Sequence, residues 1–265
     1  MAKLPKGGFE FTGSIGNLSA YKRIDMDRTI IRTKGGPSKE KIRRQPSFDV
    51  TRRNNSEFGG RSRFAGWILM GLDPLRPLSD YNMASAFNAL LTPVQLMDTG
   101  SELGQRSIEL SKAPAALQGF PFNRRNVFEA VVRSSLSFTV SKEERRAELE
   151  LPELITGRNF FPVDTYPVFR WQAALCAVPD LFCKGGGKYH PAGKFEPYNA
   201  GHYAGDWQPC GAGAQGTSIE LGLPYAVEGE AFSLLLAVGI AFGVVRAGGG
   251  EAVKYAGSGK VVGVK

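Results

Sequence analysis

Alternating apolar and polar residues near the N-terminus predict a β-hairpin. Residues 18–24 and residues 28–32 both follow the period of two that is typical of strands. Asp25-Met26-Asp27 between them has the composition of a turn. After this hairpin the chain is rich in Gly, Pro, Lys and Arg and has few residues to bury, so we expect an extended linker up to about residue 57.

Apolar residues in the next segment recur at helical spacing. Two runs have the 3.6-residue period of an amphipathic helix, and an Asp-Pro or Thr-Pro pair follows each run. They are Phe64, Trp67, Ile68 and Leu72, and then Met83, Phe87, Leu90 and Leu91. We therefore expect a mostly helical region over 58–124, after an N-terminal arm over 1–57.

Beyond about residue 105 the period of the apolar residues returns to two. The alternating residues are Leu136, Phe138 and Val140, then Ala147, Leu149 and Leu151, then Phe169, Trp171, Ala173 and Leu175, and then Ile219, Leu221 and Leu223. Several strands separated by turn signals predict a β-sandwich of immunoglobulin-like size over 125–265. The predicted fold class is mainly β, with a short helical region and a basic N-terminal β-hairpin arm.

The most apolar segment of the chain is residues 231–245. Its length of about fifteen residues, interrupted by Gly239 and Gly243, falls short of the roughly 20 that a membrane helix needs. We interpret it as one or two buried strands and expect no membrane association.

Charge divides the chain into a basic arm and a nearly neutral body. Residues 1–63 contain fifteen Lys and Arg but six Asp and Glu, whereas residues 64–265 contain eighteen and nineteen. Such an arm is expected to contact a polyanion or the acidic face of another subunit. The candidate contact residues are Lys22, Arg23, Arg28, Arg32, Lys34, Lys39, Lys41, Arg43, Arg44, Arg52 and Arg53.

A long loop rich in glycine and aromatic residues is predicted at 184–216, either as a folded excursion or as a mobile functional loop. Cys183, His190, His202 and Cys210 in or beside it offer four ligands of the kinds that zinc prefers, although their spacing matches no familiar zinc-finger pattern. The alternative is that the histidines hydrogen-bond in turns and the cysteines pack as small apolar residues.

Four aromatic residues of the same loop form a second candidate site. Tyr189, Tyr198, Tyr203 and Trp207 would make a stacking surface for a sugar, a base or a peptide. The alternative is that these side chains form the small core of the loop itself.

The sequence contains none of the common catalytic motifs. Asp206 near His202 supplies half of a hydrolytic pair, but no Gly-x-Ser-x-Gly, His-Glu-x-x-His or phosphate-binding glycine loop accompanies it. We therefore expect a protein that is not an enzyme and has no cofactor unless zinc is bound. The three cysteines lack Cys-x-x-Cys spacing and the first residues lack the apolar stretch of a signal peptide, so the expected location is the cytoplasm.

The opening segment GSIGNLSAYKRIDMDRTIIRTKGGPSKEKIRRQPSFDVTRRNNSEFGG contains a Gly-x-x-Gly turn, a Tyr-Lys strand and an Arg-rich strand. It resembles the N-terminal segment of uncharacterised proteins common in Bacteroidota genomes, over about the first 70 residues and again, more loosely, at the closing VKYAGSGKVVGV. The resemblance implies an arm joined to a sandwich and a bacterial cytoplasmic or assembly context. It implies no activity, cofactor or catalytic residue.

Two functional hypotheses follow from these patterns. In the first, the chain is a structural or assembly subunit that self-associates or docks a partner through its arm, with edge strands completing sheets across subunits. In the second, the arm binds nucleic acid, with the 22–34 ribbon in a groove and the arginines on phosphates. A solvated basic extension without a partner is the alternative to both.

Overall fold

A computed structural model of the chain describes residues 2–3, 11–23, 26–163 and 166–265. The chain divides into two compact units, Met1–Arg52 and Arg53–Lys265, which we name the arm unit and the body unit. The chain as a whole is mainly β, as the sequence predicts. None of the helices in the described ranges is long and apolar enough to cross a membrane.

The arm unit contains a four-stranded antiparallel sheet. Its strands are β1 (Ala2–Lys3), β2 (Gly13–Ile15), β3 (Leu18–Arg23) and β4 (Met26–Thr33), in the order β1-β4-β3-β2. The predicted hairpin is confirmed by the β3–β4 pairing, which sets Ala20 opposite Ile31. Met26, expected in the turn, begins β4 instead, and Ile24 and Asp25 lie outside the described residues.

The segment after this sheet is helical rather than extended. Helix α1 (Lys39–Arg44) begins at the N-cap Ser38, and helix α2 (Asp49–Gly71) follows a 3-10 turn. The Arg52 guanidinium donates to the carbonyls of Ile42 and Gln45 at 2.8 and 2.9 Å. The Ile42 carbonyl near the end of α1 has no amide N–H four residues on, because residue 46 is proline, and the Gln45 carbonyl also accepts from the Phe48 N–H at 3.1 Å. The polar segment is therefore ordered by hydrogen bonds, which an apolar pattern does not reveal.

Helix α2 begins before the division at Arg52 and ends in the body, where two further helices follow among the described residues. They are α3 (Met83–Leu96) and α4 (Phe128–Val131), with 3-10 turns at Asp73–Leu78, Leu110–Lys112 and Pro114–Ala116. Helix α3 does not end before Pro93 as expected, but continues for one more turn. Val94 and Gln95 in that turn are buried, and this packing holds the helix past the proline.

The described part of the body contains three further sheets, and the named strands in each pair antiparallel. Their strands are β5 (Ser137–Ser141), β6 (Arg146–Leu151), β7 (Val168–Pro179), β8 (Leu181–Cys183), β9 (Tyr189–Pro191), β10 (Ala200–Ala204), β11 (Gln208–Pro209), β12 (Thr217–Gly222), β13 (Phe232–Arg246), β14 (Gly249–Ala252) and β15 (Ser258–Val264). The central sheet has the order β10-β7-β13-β14, with β11 also paired to β7 and β15 to β13. A second sheet has the order β12-β6-β5, and β8 pairs with β9.

Strands β7 and β13 are apolar because both faces of the central sheet are covered. Along β13, Leu235 and Ala237 join a core that includes residues of α2 and α3, while Leu234 and Leu236 join a core that includes residues of β6. We name these the helix-side core and the sheet-side core. The predicted reading of residues 231–245 as buried strand is confirmed.

Two glycines let the helical region approach the central sheet closely. A Cβ built on Gly239 would lie 2.4 Å from Cδ1 of Leu78, and one built on Gly257 would lie 2.3 Å from Cδ2 of the same side chain. The Leu78 side chain thus fills the space that two side chains would otherwise occupy, and it is almost fully buried there. Gly239, which interrupts the apolar run of β13, is therefore required for the packing of this strand against Leu78.

Candidate functional site

The strand cations of the arm lie on β3 and β4 of its small sheet. Arg28 and Arg32 share one face of β4 and are exposed on either side of the buried Ile30. The Arg32 guanidinium lies 5.6 Å from the centroid of the Tyr21 ring, and the Lys34 ammonium donates to the Gly16 carbonyl at 3.2 Å. Lys22 and Arg23 are exposed at the opposite end of β3.

The helix cations of the arm differ in how they are engaged. Arg44 forms an ion pair with Glu40 one turn away. Lys39, Lys41 and Arg43 are exposed, and within the described residues they have no ion pair. These three side chains are the most available cations of the helical segment.

Arg52 and Arg53 are parts of the fold as well as sources of charge. Besides its two carbonyl bonds, Arg52 pairs with Asp49 at 3.2 Å. Arg53 lies 3.3 Å from the Glu102 carboxylate within the body unit. Replacing either residue therefore removes structural bonds together with charge.

The structure does not bring the four predicted zinc ligands together. Cys183 and His190 lie on the paired strands β8 and β9, the His202 Nε2–H donates to the Gly71 carbonyl at 2.9 Å, and Cys210 follows β11. The described part of the chain contains no group of three or more His, Cys, Asp or Glu side chains that could hold a metal ion. Burial also raises the pKa of the Cys210 thiol to about 11, which disfavours the thiolate that zinc requires.

The predicted loop at 184–216 is a folded excursion that contains β9, β10 and β11. Tyr189 is buried in the helix-side core, where its hydroxyl receives a hydrogen bond from the Gln95 amide at 3.1 Å and burial raises its pKa to about 12. Trp207 is half-buried, with the Arg170 guanidinium 4.8 Å from its ring centroid. Tyr203 packs against the sheet-side core, and Tyr198 is exposed. The four aromatic residues therefore do not form one stacking surface, and Tyr189 is a core residue.

A buried polar network joins the helices of the body and was not predicted from the sequence. The Ser56 hydroxyl donates to the Gly104 carbonyl at 2.7 Å, and the Gly104 N–H donates to the Glu57 carboxylate at 2.9 Å. One turn further along α2, Arg61 donates to the Asn88 amide oxygen of α3 at 3.2 Å. These partners satisfy one another, so the network holds α2 to its neighbours and offers no activated nucleophile.

Two surface cavities of the body are large enough for a small ligand. One, of about 440 Å³, lies along α2 and α3 beside Phe58, whose side chain is 58% exposed. The other, of about 320 Å³, has Glu153, Thr156, Gln208 and Gln215 among the residues that line it. This second lining supplies hydrogen bonds but no pair of groups for nucleophilic or acid–base catalysis.

The outer face of the β5-β6-β12 sheet is polar and rich in carboxylates. The apolar residues of β6 point into the sheet-side core, which leaves Glu148 and Glu150 exposed on the opposite face, and Glu220 of β12 lies directly opposite Glu148. We name this surface the glutamate face. Its exposed or half-buried members are Ser137, Thr139, Ser141, Arg146, Glu148, Glu150, Ser218 and Glu220.

Comparisons of this chain with models of known protein families, with curated proteins and with solved structures found no match.

Proposed function

We propose that this protein is a non-enzymatic structural or assembly subunit that associates with further copies through its arm unit. The observation that carries the proposal is the exposed end of the arm sheet. Among the described strands, β2 stands at one end of the strand order, and all three of its residues are exposed. The proposed role needs neither a cofactor nor a catalytic group.

The chemistry of this edge favours strand addition. An end strand presents backbone N–H and C=O groups that a strand of another chain can pair with, and apolar side chains beside it add burial. Ile15 on β2 is 60% exposed, and Leu18, its partner on β3, is 37% exposed. At the other end of the sheet, the described part of β1 pairs only with Ile30 and Ile31 of the eight-residue strand β4.

The proposal includes two further points about context. The sheet-side core between the central sheet and the β5-β6-β12 sheet supports a β-sandwich of immunoglobulin-like size in the body. A bacterial cytoplasmic or assembly setting rests on the resemblance of the first 70 residues.

The test is to block this edge with charge. Ile15→Lys together with Leu18→Lys should weaken self-association at least about tenfold, because lysines on an edge strand oppose pairing and remove apolar burial. Light scattering over a range of about 1 to 50 µM protein measures the mass. Wild-type association through strand pairing should persist at high salt, since backbone hydrogen bonds are screened little.

The matched control is Val245→Lys, at a body residue that is 65% exposed. It makes the same type of change on another strand and should leave the mass unchanged. A wild-type protein that is monomeric at tens of micromolar, roughly the range of weak assembly, would contradict the proposal.

The alternative function is nucleic-acid binding through the arm. The observation that favours it is the set of exposed cations Lys39, Lys41 and Arg43, which have no ion pair within the described residues. Free cations on one short segment suit contacts to phosphates. Interleaving of the arm's other cations with β-strands favours the subunit proposal.

A further inference from the structure

The glutamate face carries more negative charge than its own cation compensates. Glu148 and Glu220 occupy directly opposite positions on β6 and β12, where like charges repel. Arg146 donates to Glu220 at 2.6 Å. Glu148 and Glu150 have no ion pair within the described residues. The other positions on the face are small and polar, so the two free carboxylates stand on an open sheet surface.

The arm unit offers a pair of cations with a similar spacing. Lys39 and Arg43 are four residues apart on α1, which puts their Cβ atoms about 6 Å apart on one side of the helix. Glu148 and Glu150 are two residues apart on a strand, which separates them by about 7 Å. Since both pairs lie on regular elements, two cations can face two carboxylates at the same time.

The arm and the glutamate face carry opposite charges, as a contact between two copies requires. The excess of Lys and Arg is confined to residues 1–63, and the remainder of the chain carries a near balance of charges. Two copies that met arm to arm would bring like charges together, whereas an arm on a glutamate face brings opposite charges together.

We propose that the Lys39 and Arg43 side of α1 in one copy docks on Glu148 and Glu150 of the glutamate face in a second copy. This inference rests on the proposed function and names the surface that receives the arm. Strand pairing supplies the salt-resistant part of the association, and this contact supplies orientation and a salt-dependent part.

The test reverses charge on each side in the full-length chain. Glu148→Lys with Glu150→Lys should weaken self-association about tenfold at 50 mM salt and less than about threefold at 500 mM salt, because salt screens exposed charges. Lys39→Glu with Arg43→Glu should do the same. Sedimentation velocity on each variant gives the fraction assembled.

Mixing the two reversed variants is the decisive step. Each has lost this contact with itself, but the mixture again offers an acidic arm to a basic face, so association should return to within about threefold of wild type. Glu143→Lys with Glu144→Lys is the matched control, since both carboxylates are exposed in the turn before β6. It makes the same charge change outside the face and should weaken association less than about twofold.

The results separate this inference from the proposed function. If wild type assembles but the face and control variants behave alike, or if mixing restores nothing, the docking contact is wrong and strand pairing stands. A wild-type protein that remains monomeric, including one whose arm docks on its own glutamate face, overturns both.

Discussion

At the scale of single residues, the close contacts around Leu78 depend on glycines, which have no side chain. Leu78 occupies the space beside Gly239 and Gly257. A Cβ on Gly239 would lie 2.7 Å from the Ser258 carbonyl oxygen, and a Cβ on Gly257 would lie 2.7 Å from the Ile240 carbonyl oxygen. Backbone atoms in strands cannot move aside as a flexible side chain can. The two positions therefore accept no larger residue without displacement of strand or loop.

Gly257→Ala should lower the free energy of unfolding by about 2 kcal/mol through overpacking. Urea denaturation measures the change. Gly248→Ala is the control, because no atom lies within 4 Å of its Cβ position and its φ is not positive. Leu78→Ala should destabilise the Gly257→Ala protein less than it destabilises wild type, and equal losses in both backgrounds would contradict the contact.

At the scale of elements, the sequence predicts strands and core helices well because their signal is the period of burial. It does not predict α1, whose order comes from the Ser38 cap and the Arg52 side chain rather than from an apolar stripe. Sequence periodicity also identifies β6 and β12 without saying that they pair. The opposition of Glu148 and Glu220, which lie far apart in the sequence, is therefore a product of topology. The sequence also does not show that the Tyr189 ring packs against α2 at Gly60, because its glycine-rich neighbourhood has no apolar period.

Arg52→Met should loosen α1 while leaving the body intact. The variant keeps a long apolar stem but loses the donors to the Ile42 and Gln45 carbonyls, which contribute about 1 kcal/mol at this half-exposed site. Hydrogen exchange of the amides in 39–45 should become several-fold faster.

The control for this change is Arg63→Met, an exposed position on the same helix α2. It removes an equal charge without touching α1, so exchange in 39–45 should not change. Equal acceleration in both variants would mean that charge, and not the two hydrogen bonds, orders the segment.

At the scale of the whole molecule, the division of charge is matched by a division of structure. The sequence places the charge boundary near residue 63, and the structural division falls after Arg52, within the first turn of α2. The excess of positive charge in the arm predicts a partner. Whether that partner is a polyanion or another copy depends on which cations remain available after folding. Arg44, Arg52 and Arg53 are engaged, and the helical cations that remain are fewer than the sequence suggests.

Salt dependence distinguishes the two partner classes. If the arm binds duplex DNA, Lys39→Ala, Lys41→Ala and Arg43→Ala combined should reduce the slope of log K against log salt by about three units. Fluorescence anisotropy with a labelled duplex measures this slope. We expect the wild-type protein to self-associate instead; a nanomolar, salt-sensitive complex without self-association would reverse the assignment.

The pairing of β13 with both β7 and β15 has a consequence for synthesis of the protein. The arm unit ends at Arg52, whereas the central sheet needs β15, which the ribosome makes roughly 200 residues and 10 to 40 s later. Once β7 has been made, it still lacks its main partner β13 and exposes an apolar surface until β13 follows. If the arm associates as we propose, a nascent chain would present its arm before its own body is finished, and the order of translation would favour contact between neighbouring copies on one messenger.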